Sequence, residues 1–407
     1  MNLVKKIRHE MNYLKAEDFL QVFVFLAAAI PSALYTLHVK ITKQEIWLIC
    51  EDKKEARDNG WVFFSYLNNI DCSEKVYYAI DYNSVDFDKV NKRGKTVKYG
   101  SLFHWMLYFA SKVNISTQKA GRPNAAVGYV LERTGLFKEK FVFLQHGITI
   151  NKATWLFYDN TRMRMFICGA KPEYDYVREY FGYPDDNVKY TGFCRFDDYH
   201  SVDVNRKHIV LMPSWREWIG SKNEFSDVFE DTSVFENTEY YRKYQSLINN
   251  KKLAAYLKDN DLTLYFYPHR NMQQFIESFS TDCENIRIVS SKEADIRALL
   301  MESAVMITDY SSVAIDFAYM KKPVIYYQFD EERFRKAQYE KGYFDYRDSG
   351  LGVVLTEEDD VVEELIEIYG NGLEPDAAFL KAHGQFFPLF DDNNCERVYE
   401  AIKSIYR

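Results

Sequence analysis

Short apolar runs alternate with longer amphipathic segments along most of the chain. Apolar runs of about four to eight residues are typical of buried strands, whereas apolar positions that recur every three to four residues are typical of helices. Strands that alternate with helices predict βαβ units and a parallel sheet. The predicted strands are 45–50, 76–80, 96–99, 141–144, 164–168 and 188–192 in the first half, and 208–212, 262–267, 286–289, 305–308, 324–327 and 352–355 in the second.

A polar stretch from Asp197 to Lys207 separates the two alternating series. A chain of 407 residues is long enough for two domains that each bury a core. We therefore expect an α/β protein with an N-terminal domain over residues 1–200 and a C-terminal domain over residues 201–407. The closing helix, predicted from residue 394 onward, either stays with the second domain or packs back on the first.

The segment over residues 18–38 is apolar and follows a charged N-terminus. A membrane-spanning helix needs about 20 apolar residues, so the length is borderline, and Pro31 would kink the helix or end it. The segment is therefore a buried core helix, an interfacial helix with basic flanks, or a transmembrane span. The pattern ranks the span lowest and leaves the first two interpretations open.

Composition and charge narrow the class of protein. The chain is 47% hydrophobic and 17% aromatic, which is typical of a globular protein. Its formal net charge of −8 argues against nucleic-acid binding, which needs a basic surface. The six cysteines are scattered without a C-x-x-C pair, and no small-residue cleavage site follows the basic start. We therefore expect reduced thiols, no zinc site and no secretory signal peptide.

The stretch from Val305 to Tyr327 predicts a strand, a turn, a helix and a second strand. Its turn contains Ser311 and Ser312, which stand where the helix begins. The free N–H groups and the positive end of a helix dipole can bind a phosphate at such a position. Serine is also a common helix N-cap, so the pattern alone leaves phosphate binding and ordinary capping open.

Polar motifs follow several of the predicted strands. They are Gln145-His146-Gly147, Pro213-Ser214-Trp215-Arg216, Pro268-His269-Arg270 and Asp309-Tyr310-Ser311-Ser312. Ligands of open parallel sheets bind beyond the carboxyl ends of the strands, so these motifs are expected to face one cleft. A histidine can take a proton from an alcohol, and an arginine or second histidine can neutralise a transferring phosphoryl group. A lone loop histidine is usually structural, but two at equivalent strand ends favour a shared site.

Several enzyme classes are disfavoured by motifs that the sequence lacks. It contains neither a G-x-x-x-x-G-K-[ST] phosphate loop nor a strand-end G-x-G-x-x-G, which argues against a P-loop nucleotidase and a Rossmann dehydrogenase. It also lacks an Asp-x-Asp pair at a strand end that would hold a divalent ion. We therefore expect a metal-independent transfer from an activated phosphate donor, without a cofactor.

The strand-end motifs occur together with Lys322-Pro323, Gly342-Tyr343-Phe344-Asp345 and a closing Asp391-Asp392 to Arg397-Val398. This ordered set, from about residue 140 to the C-terminus, resembles the CDP-glycerol glycerophosphotransferase family of teichoic acid synthesis. The block Ile307-Thr308-Asp309-Tyr310-Ser311-Ser312, with Asp316 downstream, is its most specific part. The histidine motifs alone would be weak.

The resemblance implies a GT-B-like fold, in which two Rossmann-like domains with parallel sheets face a central cleft. It implies that the C-terminal domain holds CDP-glycerol or a related CDP-polyol. Glycerol phosphate would pass to a hydroxyl of a cell-wall or capsular glycan, or a lipid-linked acceptor, with release of CMP. By this analogy His146 is the general base, His269 holds the donor phosphates, Arg216 stabilises their charge, and the donor-binding residues are Thr308, Asp309, Ser311, Ser312 and Asp316. Asp316, one turn along the helix, would either contact the donor or support the loop.

The sequence departs from the family pattern at three places, which leaves the donor and acceptor open. Gln145 replaces the usual tryptophan, Glu217 follows Trp215-Arg216 where aspartate is common, and Asn393-Asn394-Cys395 replaces a Gly-Asn-Ala-like run. Ribitol phosphate transfer, a GT-B glycosyltransferase with a nucleotide-sugar donor, and a catalytically silent glycan- or lipid-binding protein are the alternatives. We expect a cytoplasmic protein, peripheral at the inner face of the cell membrane.

Overall fold

The computed structural model describes residues 16–70, 72–118, 121–128, 140–219, 232–290 and 293–405, and every structural statement below refers to them. The basic residues of the first fifteen positions and residues 220–231, within the long segment between Trp215 and Tyr241, lie outside the described residues.

Seven strands of the first half form a parallel sheet in the order β3-β2-β1-β4-β5-β6-β7. Every residue of β1, β4, β5 and β6 is buried, because helices cover both faces of the sheet. The strands are β1 (Ile46–Cys50), β2 (Lys75–Ile80), β3 (Lys95–Lys98), β4 (Val113–Ser116), β5 (Phe141–Phe143), β6 (Met165–Cys168) and β7 (Val188–Tyr190).

Six strands of the second half form another parallel sheet in the order β10-β9-β8-β11-β12-β13. The chain passes from one sheet to the other between Tyr190 and Asn205. The strands are β8 (Asn205–Met212), β9 (Thr263–Phe266), β10 (Ile286–Ile288), β11 (Ser303–Thr308), β12 (Val324–Tyr327) and β13 (Val353–Leu355).

Helices connect the strands in both halves. Those of the first half are α1 (Ala16–Ile41), α2 (Asn59–Leu67), α3 (Phe87–Arg93), α4 (Leu102–Ala110), α5 (Tyr158–Thr161), α6 (Lys171–Tyr180) and α7 (Phe196–Tyr199). Those of the second are α8 (Thr232–Glu236), α9 (Glu239–Leu247), α10 (Lys251–Asp259), α11 (Ile296–Glu302), α12 (Val313–Tyr319), α13 (Glu331–Ala337), α14 (Glu358–Gly370), α15 (Ala377–Phe386) and α16 (Asn394–Ser404).

Strand β4 is the central strand that the apolar pattern did not predict. Its sequence is Val-Asn-Ile-Ser, in which two polar residues interrupt the apolar run. Both polar side chains are buried and hydrogen bonded: Ser111 Oγ donates to Asn114 Oδ1 at 2.7 Å, and Ser116 Oγ accepts from the Gln118 N–H at 3.0 Å. These local bonds satisfy the polar groups and allow them inside the sheet.

Helix α1 continues through Pro31 to Ile41, so the proline does not end it. One face packs on α4, where Trp105 Nε1 donates to Gln21 Oε1 at 3.1 Å and the Phe25 ring contacts Trp105. The opposite face is exposed and carries the large apolar residues Phe19, Leu20, Val22, Phe23, Leu26, Ile30, Leu34, Leu37 and Ile41. Residues 18–41 are long and apolar enough to cross a membrane by length and composition, but only 17% of their most apolar window is buried.

Two sets of contacts join the halves of the molecule. Arg195, after β7, pairs with Asp58 at 2.8 Å in the first half and with Asp316 of α12 at 2.7 Å in the second. The C-terminal helix α16 packs against α2 and α7 of the first half. At the start of α16, Asn394 donates from its backbone and side chain to Asp197. These contacts hold the two sheets on either side of a shared cleft.

Candidate active site

A cleft of about 360 Å³ lies between the carboxyl ends of the two sheets. The first half contributes the segment 145–151, which contains His146, and the exposed Trp155. The second half contributes His269, Ser311 and Ser312. The structure therefore brings together four of the side chains that the sequence predicts for the site.

His146 follows β5 on a loop that approaches the opposite domain closely. Its side chain is exposed in the cleft, and the preceding residue, Gln145, has a positive φ of 58°. Gly147 faces Ser312: a Cβ at residue 147 would lie only 2.8 Å from Ser312 Oγ. The glycine thus permits the histidine loop and the serine turn to meet across the cleft.

His269 follows β9 and is largely enclosed. Its Nδ1 accepts the Asn271 N–H at 3.2 Å, and its ring stacks on Trp215 with centroids 6.4 Å apart. Burial lowers the pKa of His269 to about 4, although the nearby Asp309 carboxylate raises it in part. Because Nδ1 is an acceptor, the neutral ring carries its proton on Nε2 and can donate a hydrogen bond from that atom.

Ser311 and Ser312 form the turn between β11 and α12 and line the cleft. Ser312 occupies the N-cap position but makes no side-chain capping bond. Ser311 Oγ accepts the Val313 N–H at 3.3 Å, which is a long bond. Capping therefore engages only one of the two hydroxyls, and both can turn toward a ligand.

Thr308 and Asp309 are fully buried beneath the cleft. Thr308 Oγ1 donates to the Met212 carbonyl at 2.7 Å. Asp309 accepts the backbone N–H groups of Ser214 at 2.8 Å and Tyr310 at 2.6 Å. These bonds hold the strand ends that carry the site, and donor contact by either side chain stays a prediction.

Arg216 is fully buried between two carboxylates. It donates to both oxygens of Asp330 at 2.7 and 3.0 Å, and its NH1 lies 2.8 Å from Asp309. The carboxylates hold the pKa of Arg216 well above its usual value, despite its burial. Its guanidinium lies behind the cleft wall formed by Ser214 and Trp215. This geometry favours a supporting role, and direct contact with a phosphate stays a prediction.

Asp316 lies at the domain junction. Both of its oxygens accept from Arg195, at 2.7 and 2.9 Å, and Tyr199 OH donates to it at 3.3 Å. It is buried and is not among the residues that line the cleft. The bonds to Arg195 and Tyr199 favour the supporting role of Asp316, and direct contact with the donor stays a prediction.

Sequence reasoning missed two groups beside His146. Glu173, buried on α6, accepts bonds from the loop that carries the histidine. The segment at Gly342 crosses from the second half to the same loop: a Cβ there would lie 2.4 Å from the Ile150 carbonyl oxygen, and Lys341 pairs with Asn151. Gly342 was visible as part of a motif, but its partner could not be read from the sequence.

Two parallel-stranded α/β domains that face a shared cleft define the GT-B class of fold, and structural neighbours agree. A structure of the wall teichoic acid polymerase TagF, variant H548A, aligns with a TM-score of 0.66 at 16% identity and covers 96% of this chain and 99% of that one. A UDP-GlcNAc 2-epimerase from Neisseria meningitidis aligns at 0.52 with 11% identity, over 89% and 100% of the two chains. The predicted GT-B-like fold is confirmed.

The chain belongs to the family described as CDP-Glycerol:Poly(glycerophosphate) glycerophosphotransferase, whose profile matches residues 32–404. It is 33% identical over 364 residues to the minor teichoic acid biosynthesis protein GgaB of Bacillus subtilis (strain 168), across 88% of this chain and 40% of that protein. It is 22% identical over 405 residues to the teichoic acid ribitol-phosphate polymerase TarK of Staphylococcus aureus (strain NCTC 8325 / PS 47), across 94% and 72%.

The family assignment confirms the resemblance drawn from the strand-end motifs and identifies the chain with a family of transferases. The chain spans less than half the length of the first curated relatives that it matches.

Proposed function

We propose that this chain transfers glycerol phosphate from CDP-glycerol to a hydroxyl of a cell-wall or capsular acceptor and releases CMP. The observation that carries the proposal is the cleft in which His146 of one domain faces His269, Ser311 and Ser312 of the other. The family description supports the donor, and one TagF structure was obtained after a soak with CDPG.

In the proposed reaction, His146 removes the proton from the acceptor hydroxyl. The resulting oxygen attacks the phosphorus that bears the glycerol. A new P–O bond forms between the acceptor oxygen and this phosphorus. The bond between the phosphorus and the bridging oxygen of CMP breaks, and its electron pair stays on CMP. The positioned imidazole lowers the barrier as a general base, and the cleft lowers it further by holding the reactants in one orientation.

The donor phosphates would contact the second domain. His269, neutral with its proton on Nε2, would donate to a phosphate oxygen, and the hydroxyls of Ser311 and Ser312 would donate to others. Thr308, Asp309 and Arg216 would act by holding these groups in place, through the buried bonds described above. Asp316 would act through the domain junction.

A donor screen tests this proposal against its enzyme alternatives. CDP-glycerol, CDP-ribitol and common UDP-sugars are offered with acceptor, and released nucleotide is measured. CMP from CDP-glycerol alone supports glycerol phosphate transfer. Ribitol phosphate is the second candidate, because two relatives are named as ribitol-phosphate polymerases. UDP release would instead indicate a glycosyltransferase, and absence of binding by every donor would favour a silent glycan- or lipid-binding protein.

Metal independence stays a prediction. In the part of the chain that the structure describes, no group of three His, Cys, Asp or Glu side chains is arranged to hold a metal ion. Treatment with EDTA followed by the transfer assay tests it: full activity is expected, and loss that Mg²⁺ restores would contradict the prediction.

We also propose a cytoplasmic location with α1 lying on the inner face of the membrane. Named relatives are teichoic acid biosynthesis proteins, and the exposed apolar face of α1 supports contact with lipid. An interfacial helix buries one apolar face among the acyl chains and leaves the other on the protein. This arrangement would bring the cleft near a lipid-linked acceptor.

A further inference from the structure

Glu173 is a fully buried carboxylate whose two oxygens have different tasks. It is the third residue of α6, and its Oε2 accepts the Gly169 N–H at 2.7 Å, just before the helix. A glutamate at this position commonly bonds back to the helix start, so this half of the contact is ordinary capping. Its Oε1 turns instead to the histidine loop.

Oε1 of Glu173 accepts hydrogen bonds from two residues of the loop that carries His146, one before the histidine and one after it. It accepts the Thr149 N–H at 2.6 Å and the Gln145 side-chain amide at 3.0 Å. Thr149 Oγ1 in turn donates to Gln145 Oε1 at 2.7 Å. His146 thus lies between two residues that one carboxylate oxygen holds together.

Gln145 needs such support because its backbone is strained. Its φ of 58° lies in the left-handed region, where the Cβ of a non-glycine residue crowds the following carbonyl oxygen. Such a conformation persists only where the surroundings over-determine it. The side-chain amide of Gln145 also donates to the Ile167 carbonyl at 2.6 Å, and the backbone carbonyl of Gln145 accepts from Asn59 Nδ2 at 2.8 Å.

We propose that Glu173 is a positioning residue for the transfer: its carboxylate holds the strained turn at Gln145 and thereby aims His146 into the cleft. The inference rests on the proposed function, in which His146 is the base. Glu173 lies outside the cleft lining, so it acts on the reaction only through the loop.

The surroundings of Glu173 make its protonation state matter. The ionisable groups that face it are Cys168 on β6, Tyr190 on β7 and Tyr343 from the second half. All three have pKa values raised by burial and are neutral near pH 7. Burial raises the pKa of Glu173 to about 7, although the N–H donors lower it in part. As the pH falls through about 7, Glu173 would take up a proton, although both bonds from the loop require Oε1 of Glu173 to accept.

Glu173→Gln separates the two tasks. The glutamine can still bond to the helix start through its oxygen, while its NH₂ group would then meet the Thr149 N–H, donor against donor. Gln145→Met removes the other partner and leaves Glu173 in place. Asp376→Ala is the matched control: it removes the N-cap of α15, where Asp376 accepts the Phe379 N–H at 2.7 Å outside the site.

The kinetic test compares kcat, KM and the pH profile of these variants in the CMP-release assay. We expect Glu173→Gln and Gln145→Met each to lower kcat at least tenfold with donor KM within twofold, and their double mutant to add little. Below pH 7 the wild-type kcat should fall more steeply than that of Glu173→Gln, since protonation of Glu173 adds a loss that the glutamine variant cannot show. Unchanged kcat and slope would overturn the inference, as would an equal loss in Asp376→Ala.

Hydrogen exchange provides a readout that needs no substrate. The Thr149 amide should exchange at least tenfold faster in Glu173→Gln than in wild type, while core amides of β1 remain protected. If the wild type releases no CMP, the proposed function fails, but this exchange still tests the hold of Glu173 on the loop. Unchanged exchange at Thr149 would overturn the inference whatever the assay shows.

Discussion

His146 and His269 share a cleft but have different environments. His146 is exposed, so it can meet an incoming hydroxyl, whereas His269 is held by Trp215 and the Asn271 N–H. A general base must take up and release a proton in each turnover, whereas a hydrogen-bond donor must keep its proton throughout. The two environments match the two roles that the proposed reaction requires.

Replacement of His146 should affect the chemical step. We expect His146→Ala to lower kcat by about 10²–10⁴-fold, the usual loss when a general base is removed. Donor KM should change little, because the proposed donor contacts lie in the other domain. His208→Ala, on the body of strand β8, is the control and should retain wild-type rates. Full transfer by the His146 variant would show that another group accepts the proton.

The depressed pKa of His269 predicts a pH dependence of stability. Its folded pKa of about 4 lies below the usual value of about 6.5, so the folded state binds fewer protons between these limits. Stability should therefore fall as pH drops from about 6.5 toward 4. Thermal unfolding of wild type and His269→Gln over this range tests the effect, and the variant should show a shallower decline. Parallel curves would place the His269 pKa near its ordinary value.

At the scale of elements, α1 differs from every helix that covers the sheets by its exposed apolar face. Leu26, Ile30 and Leu34 are spaced by four residues and are each at least 60% exposed. The other face packs on α4 on both sides of Pro31, through Phe25 on Trp105 and Tyr35 on Phe103. One face of α1 therefore belongs to the core, and contact of the other face with a membrane stays a prediction.

Charge on the exposed face should abolish membrane contact. We expect wild type to co-sediment with anionic liposomes and the triple variant Leu26→Glu, Ile30→Glu and Leu34→Glu to remain in the supernatant, because charged groups are costly to place among acyl chains. Val85→Glu, at a loop residue that is 84% exposed, is the control for an added charge and should still sediment. Equal binding by the triple variant would exclude α1 as the contact.

At the scale of the whole molecule, buried charges join the two domains. Arg195 contacts Asp58 and Asp316 at the junction, close to the turn that carries Ser311 and Ser312. Removing one member of a buried ion pair leaves the other without a partner, which typically costs about 3–5 kcal/mol. The junction can thereby fix the relation between the donor-side serines and the histidine loop.

Asp316→Asn distinguishes a junction role from donor contact. If Asp316 supports the junction, the variant should unfold at a lower temperature and lose kcat. Asp175→Asn, in an exposed pair with Lys171, should change stability by no more than about 1 kcal/mol. A raised donor KM with unchanged thermal stability would instead support direct contact between Asp316 and the donor.

Local sequence was enough for the alternating strands and helices and for the motifs at the strand ends. The period of the apolar residues records which faces are buried, and parallel strands place their carboxyl ends together. From these rules alone His146, His269, Ser311 and Ser312 could be assigned to one cleft. The pattern failed at β4, where Asn114 and Ser116 are buried through hydrogen bonds that periodicity does not register.

Only the tertiary structure decided which charged residues face the cleft and which support it. Arg216 and Asp316 have carboxylate and guanidinium partners 114 and 121 residues away, and Glu173 binds Gln145 across 28 residues. A side chain's chemistry is local, but its burial and its partners depend on how the sheets pack. The sequence by itself therefore determined the kind of fold and the motifs that meet at the cleft, and the packing of the domains decided how those motifs are held.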